Sequence, residues 1–206
     1  MINVVIAVEN NEFYYAYITL LSLFENTKKR HNIFLLYGVV ERYTYFVNLS
    51  EKYNQCIFLI ANENEIESYE SILNNYRTVF LDSHCIVNGE IEELLGQDDD
   101  VVVYSAEEIH KNEIPYDKIK NEMLILDFGD ATPLESWHAH IELEKLWWDY
   151  AKKSDIYGEI RDVYMNNVFM EMQLERHVND LKINIAGLKK NLEMLVQENT
   201  KYLEKI

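Results

Sequence analysis

The chain has 206 residues, 48% of them hydrophobic, and a formal net charge of −17. That length and apolar content support one α/β domain with a real core and an appendage. The charge argues against a nucleic-acid backbone or an anionic membrane surface as main partner, and no stretch approaches the roughly 18 apolar residues of a membrane span. The acidic residues are spread through 63–70, 90–100 and 142–144, as on solvated faces. Cys56 and Cys85 lie in apolar runs and make no disulfide framework. The start of the chain has no basic region and no long apolar run. Together these features point to a reducing, cytoplasmic setting.

Asn3 to Val8 reads as a first strand, buried because it is continuously apolar after Asn3. It ends in a polar tip, Glu9-Asn10-Asn11-Glu12, that can meet a ligand. Phe13 to Phe24 has apolar residues at helical spacing. Ile33 to Tyr37 is a second strand, Val40 to Tyr53 a helix and Cys56 to Ile60 a third strand. Glu65 to Asn75 reads as a helix, Thr78 to Leu81 as the fourth strand, and Val101 to Tyr104 as a further one. Strands alternating with helices imply a sheet with parallel pairs, whose ligands sit beyond the carboxyl ends of the strands. Glu9, Asn11, Asp82 and His84 then share one rim.

The stretch Tyr76 to Gly89 is the one around which this arrangement turns. Val79, Phe80 and Leu81 read as buried strand, and Asp82 and His84 follow abruptly. A carboxylate and an imidazole two residues apart at a strand end point to the same side of the chain. Oxygen plus imidazole is a ligand set that Mn²⁺ or Mg²⁺ can accept. The same pair also reads as an aspartate capping a turn beside a packed histidine.

Three segments resemble the family 8 glycosyltransferases. The opening Ile6-Ala-Val-Glu-Asn-Asn-Glu12, with the helix closing at Ser22-Leu-Phe-Glu-Asn26, is similar to that family's Ala-x-Asp-x-Asn strand end and the helix after it. Leu81-Asp-Ser-His-Cys-Ile-Val-Asn-Gly-Glu-Ile-Glu-Glu-Leu94 resembles its DxD segment, Leu-Asp-x-Asp-x-Ile-Val-x-Gly-Asp-Ile-x-x-Leu. Met123-Leu-Ile-Leu-Asp-Phe-Gly-Asp130, Trp137 and Lys145 to Tyr157 resemble its C-terminal strand and helix. The resemblance spans most of residues 1–157. It implies a GT-A fold that binds a UDP-sugar through Mn²⁺ or Mg²⁺ and transfers the sugar with retention to a glycan or other acceptor. Carried over, Ala7, Glu9 and Asn11 line the uridine pocket, with Asp82 beside the diphosphate. Asp82 and His84 take the two DxD positions, and Asp127 takes that of the family's metal-binding histidine.

The chain departs from the family in three places. His84 and Asp127 exchange the family's aspartate and histidine, which keeps two carboxylates and one imidazole. Between them the family's long segment with its Asn-Ser-Gly strand is not visible. Leu134, Glu135 and Ser136 stand where the family has a lysine, so a cation that would face the diphosphate is missing. These departures imply an alternative, a catalytically inactive binding or scaffold module. His138 and His140 form a further spacing that could suit a metal, although turn histidines are common. Asp98 to Asp100 read as a solvated loop, and Leu143, Leu146, Trp147, Trp148 and Tyr150 as packing of a helix onto the sheet.

Beyond Glu159 the pattern changes. From Leu174 to Ile206 apolar residues recur at spacings of four and three, with Asn199 at one a position. That is the seam of a coiled coil, and a lone a-position asparagine favours two parallel strands. The expectation is a GT-A-like α/β domain over 1–157 and a helical tail over 158–206 that forms a homodimer or homo-oligomer through 174–206. In the scaffold reading the tail instead holds a partner such as an active glycosyltransferase.

Overall fold

The computed structural model describes residues 2–9, 11–38, 42–61, 63–91, 104–105, 117, 125–129, 133–134 and 141–203. Four strands, β1 (Asn3–Val8), β2 (Asn32–Tyr37), β3 (Cys56–Ile60) and β4 (Thr78–Leu81), form a parallel sheet in the order β3-β2-β1-β4. The chain builds outward from β1 through β2 to β3, then returns to the other side of β1 as β4. The carboxyl ends of β1 and β4 therefore lie side by side, where the strand order reverses.

Helices α1 (Phe13–Asn26) and α2 (Tyr43–Lys52) pack on one face of this sheet. Tyr37 of β2 meets both, its ring 6.4 Å from Phe13 and 5.6 Å from Phe46. Val4, Ile6, Ile33 and Leu35 alternate onto the same face and are fully buried. The opposite face carries Val5, Phe34 and Ile60, against which Phe58, Tyr69, Ile72 and Leu73 pack.

Tyr69 to Leu73 belong to a segment that differs from expectation. The single helix read over Glu65 to Asn75 is a 3₁₀ turn, Glu63–Tyr69, followed by a short helix α3, Glu70–Asn75. The cause lies in its composition: polar residues dominate, and too few apolar ones recur to hold a long helix on the sheet. A second difference follows. Phe80, read as part of a buried strand, is 77% exposed, and Ala7 is exposed within β1. Both alternate onto the face that, among the described residues, only the 3₁₀ turn and α3 cover, and β4 is one of the two edge strands.

A second, smaller sheet contains β5 (Cys85–Val87), β6 (Tyr104–Ser105) and β7 (Ile125–Asp127) in the order β5-β7-β6. β5 and β7 are antiparallel, and β6 and β7 parallel. Helix α1 joins the two sheets, which is why nearly all of Phe13 to Phe24 is buried. Three polar side chains on α1, at positions i, i+3 and i+7, serve the edge of β5 that β7 does not pair. The Thr19 hydroxyl lies 2.6 Å from both the Ser83 and Cys85 carbonyl oxygens. The Val87 N–H donates to Ser22 Oγ at 2.9 Å, and Asn26 Nδ2 donates to the Val87 carbonyl at 2.9 Å. Side chains thus stand where a neighbouring strand would otherwise satisfy the backbone.

Helix α4 (Ile141–Lys153) buries Leu146, Trp147, Tyr150 and Ala151. Helix α5 spans Tyr157–Leu203. The chain divides into two compact units, Met1–Arg161 and Asp162–Ile206. The second is helical through Leu203 and presents exposed apolar side chains from Met165 to Val196. Among the described residues no helix is long and apolar enough to cross a membrane.

Candidate functional site

Two loops meet beyond the carboxyl ends of β1 and β4. In the first, Glu12 turns back on its own loop: its N–H donates to the Glu9 carbonyl at 3.0 Å, and Glu12 Oε2 accepts the Glu9 N–H at 2.9 Å. The same carboxylate oxygen accepts the hydroxyl of the buried Ser83 at 2.8 Å. Glu12 thereby ties the loop after β1 to the loop after β4.

In the second loop, Asp82 Oδ1 accepts the backbone N–H of His84 at 2.8 Å and stands 3.0 Å from His84 Nδ1. The other imidazole nitrogen, Nε2, is 3.9 Å from Glu12 Oε1. The ring of His84 is therefore flanked by two carboxylates. Tyr15 of α1 packs against it with ring centroids 4.7 Å apart, and Trp147 of α4 lies 6.0 Å beyond Tyr15. The Leu134 N–H donates to the Tyr15 hydroxyl at 3.3 Å. From below, Thr19 holds the backbone on both sides of His84. The loop is fixed by buried groups while the Asp82 side chain remains 58% exposed.

The positions expected from sequence fall as follows. Ala7 is the exposed residue near the end of β1, paired in register with Leu36. Glu9 and Asn11 are exposed on the adjoining loop. Asp82 and His84 stand together. Asp127 lies at the end of β7, directly across from Cys85, where its Oδ1 accepts the Gly129 N–H at 2.9 Å. Gly129 adopts φ of +50°, in the left-handed region that glycine enters without strain. Burial, followed by the negative charges of Asp127 and Asp82, pushes the Cys85 thiol far up from its ordinary range, so it stays protonated and unreactive. Among the described residues no group of three or more His, Cys, Asp or Glu side chains is arranged to hold a metal ion. The structure brings Asp82 and His84 together and does not bring Asp127 into one ligand group with them. Asp98 to Asp100, Glu135 to His138 and His140 lie outside the described residues.

Sequence reasoning passed over Glu12, Ser83 and Thr19. Glu12 was visible only as part of a polar tip, and Ser83 only as the residue between two candidate ligands. Thr19 carried a usable signal, since Thr19, Ser22 and Asn26 form a polar stripe at helical spacing on an otherwise apolar helix.

The chemistry of the rim can be judged against a divalent cation. Magnesium-like ions are commonly held by one or two carboxylates, with substrate phosphates and water completing the shell. An exposed Asp82 at a strand end, with its Oδ1 and backbone geometry already set, fits that kind of partial protein site. It does not supply a complete cage.

No protein-family model matches the chain, and no curated protein matches it in sequence. Among solved structures it is similar to the apo structure of the WbbM bifunctional glycosyltransferase, with a TM-score of 0.40 and 19% sequence identity. The match covers 47% of this chain and 21% of that one, so this chain matches about a fifth of that protein's length.

Proposed function

We propose that the first unit is a GT-A-like, glycosyltransferase-type module that binds a UDP-sugar at the rim formed by β1 and β4. The observation that carries this reading is the meeting of the loops at residues 9–12 and 82–84 at the point where strand order reverses. That is the place where open α/β sheets receive their ligands. The motif resemblance to family 8 supports UDP-sugar as the ligand class and sugar transfer with retention as the reaction. Ala7, Glu9 and Asn11 face the uridine in this reading, and Asp82 holds Mn²⁺ or Mg²⁺ against the diphosphate. The resemblance implies His84 and Asp127 as companion ligands, which Asp127 would join only by moving from the place it holds beside Gly129. The bound ion would neutralise diphosphate charge. The chain's own part is to fix Asp82 through His84 and to lock both loops through Glu12 and Ser83.

A second reading, binding without transfer, is favoured by one specific feature. Leu134, Glu135 and Ser136 stand where the family places a lysine toward the diphosphate, and loss of one such donor costs on the order of a hundredfold or more in rate.

Thermal unfolding with UDP, with and without Mn²⁺, tests the binding reading. Ligand at a hundredfold excess over Kd stabilises by about 2.7 kcal/mol. That shift should require the ion and vanish in Asp82→Ala. Absence of any shift with UDP or UDP-sugars plus Mn²⁺ would remove the binding claim. Release of UDP from UDP-sugars then separates the readings: turnover supports the transferase, and binding without turnover supports the scaffold.

A further inference from the structure

Along α5, Val178, Leu181, Ile185, Leu188, Leu192 and Leu195 recur at spacings of three and four and are 40% to 68% exposed. Such a seam is covered in a coiled coil by a matching seam on another helix, and the positions flanking it choose the partner. Placing the seam at a and d puts Lys182 and Lys189 at e, and His177, Asn184 and Asn191 at g. From His177 to Asn191 neither flank holds a carboxylate; Glu175 at e and Glu198 at g lie just outside that segment.

A second copy of this chain meets those flanks poorly. In a parallel pair each g residue faces the e residue five positions on in the other helix. Lys182 then faces the copy's His177, and Lys189 faces its Asn184, so no opposite charges meet. In a fully overlapped antiparallel pair e faces e, which sets Lys182 against the copy's Lys189. Like charges at these positions are unfavourable, and opposite charges there set partner choice.

We propose that this segment docks a helix of a different chain, with its own apolar heptad seam and with glutamate or aspartate flanking that seam opposite Lys182 and Lys189. Each lysine then gains a carboxylate that a copy paired in either of those registers does not supply. The inference stands on the helix alone and does not depend on the nucleotide-sugar site.

The test uses the full chain and two synthetic helical peptides of about 35 residues. Both carry Ile at a, Leu at d and one Asn aligned with Asn199; at the e and g positions that face His177 to Asn191 one has Glu and the other has Lys, and both have Gln at the e and g positions that face Glu175 and Glu198. In sedimentation the chain alone should remain monomeric at micromolar concentration. By fluorescence anisotropy it should bind the Glu peptide at least roughly tenfold more tightly than the Lys peptide. The double variant Lys182→Glu with Lys189→Glu should reverse that preference, and high salt should shrink it. A stable dimer of the chain alone, equal binding of both peptides, binding of neither, or a preference that the double variant leaves unchanged would each overturn the proposal.

Discussion

On the face of the parallel sheet that meets α1 and α2, Ile6, Ile33 and Leu35 are fully buried; on the other, Ala7 is exposed and Phe80 is 77% exposed. The strands supply apolar residues to both. The difference lies in the cover. Among the described residues, one face receives two helices of 14 and 10 residues, and the other a 3₁₀ turn and a six-residue helix. That thinner cover leaves a cavity of about 230 Å³ lined by Val5, Phe34, Leu36, Leu73 and Phe80 among others. Apolar composition makes a residue available for burial, and only a covering element makes burial happen.

The contrast can be broken by substitution, and the closed face should respond most. Leu35→Ala, deleting a fully buried side chain, should cost about 2–5 kcal/mol in chemical denaturation, because little room exists for collapse. Thr19→Val comes next. It keeps the shape of the side chain on buried α1 but removes the hydroxyl held between the Ser83 and Cys85 carbonyls. A loss of about 1–3 kcal/mol is expected, with faster hydrogen exchange in residues 82–85.

A smaller effect belongs to Glu144 of α4, whose carboxyl is pushed up to about 7, mainly by burial and against a hydrogen bond from Trp148. Its ordinary value is 4.5, so between these values the folded chain holds more proton than the unfolded chain. Stability should therefore fall as pH rises through that window. Glu144→Gln should flatten this slope, raising stability relative to the parent at pH 8 by on the order of 1 kcal/mol. Least affected should be Phe80→Ser on the open face. A change within about 0.5 kcal/mol is expected, and a loss comparable to that of Leu35→Ala would mean that something covers Phe80.

The four strands of the parallel sheet were legible because each is a short apolar run of the kind such a sheet buries, bounded by turn residues. Their alternation with helices also puts Glu9 and Asp82 on one rim. What escaped depends on which side of each element is covered. Phe80 sits in the same apolar run as Val79 and Leu81, and a run cannot say which of its faces the longer helices cover. The Glu12–Ser83 bond escaped for a related reason, since it joins loops 71 residues apart that meet only because β4 returns beside β1. Asp127 was carried over by motif position. Its carboxylate is engaged locally with Gly129, a contact that no spacing rule announces.

The rim is most directly tested by electron paramagnetic resonance of Mn²⁺, because the free ion's signal falls when the ion is bound. Titrating wild-type protein with Mn²⁺ should leave most of the free signal, since no group of three or more ligand side chains converges among the described residues. Adding UDP should then reduce the signal well beyond what UDP alone causes, and Asp82→Ala should restore it to the UDP-only level. A signal that protein plus UDP leaves equal to that of UDP alone, or a reduction that Asp82→Ala leaves intact, would contradict an ion held between Asp82 and a diphosphate.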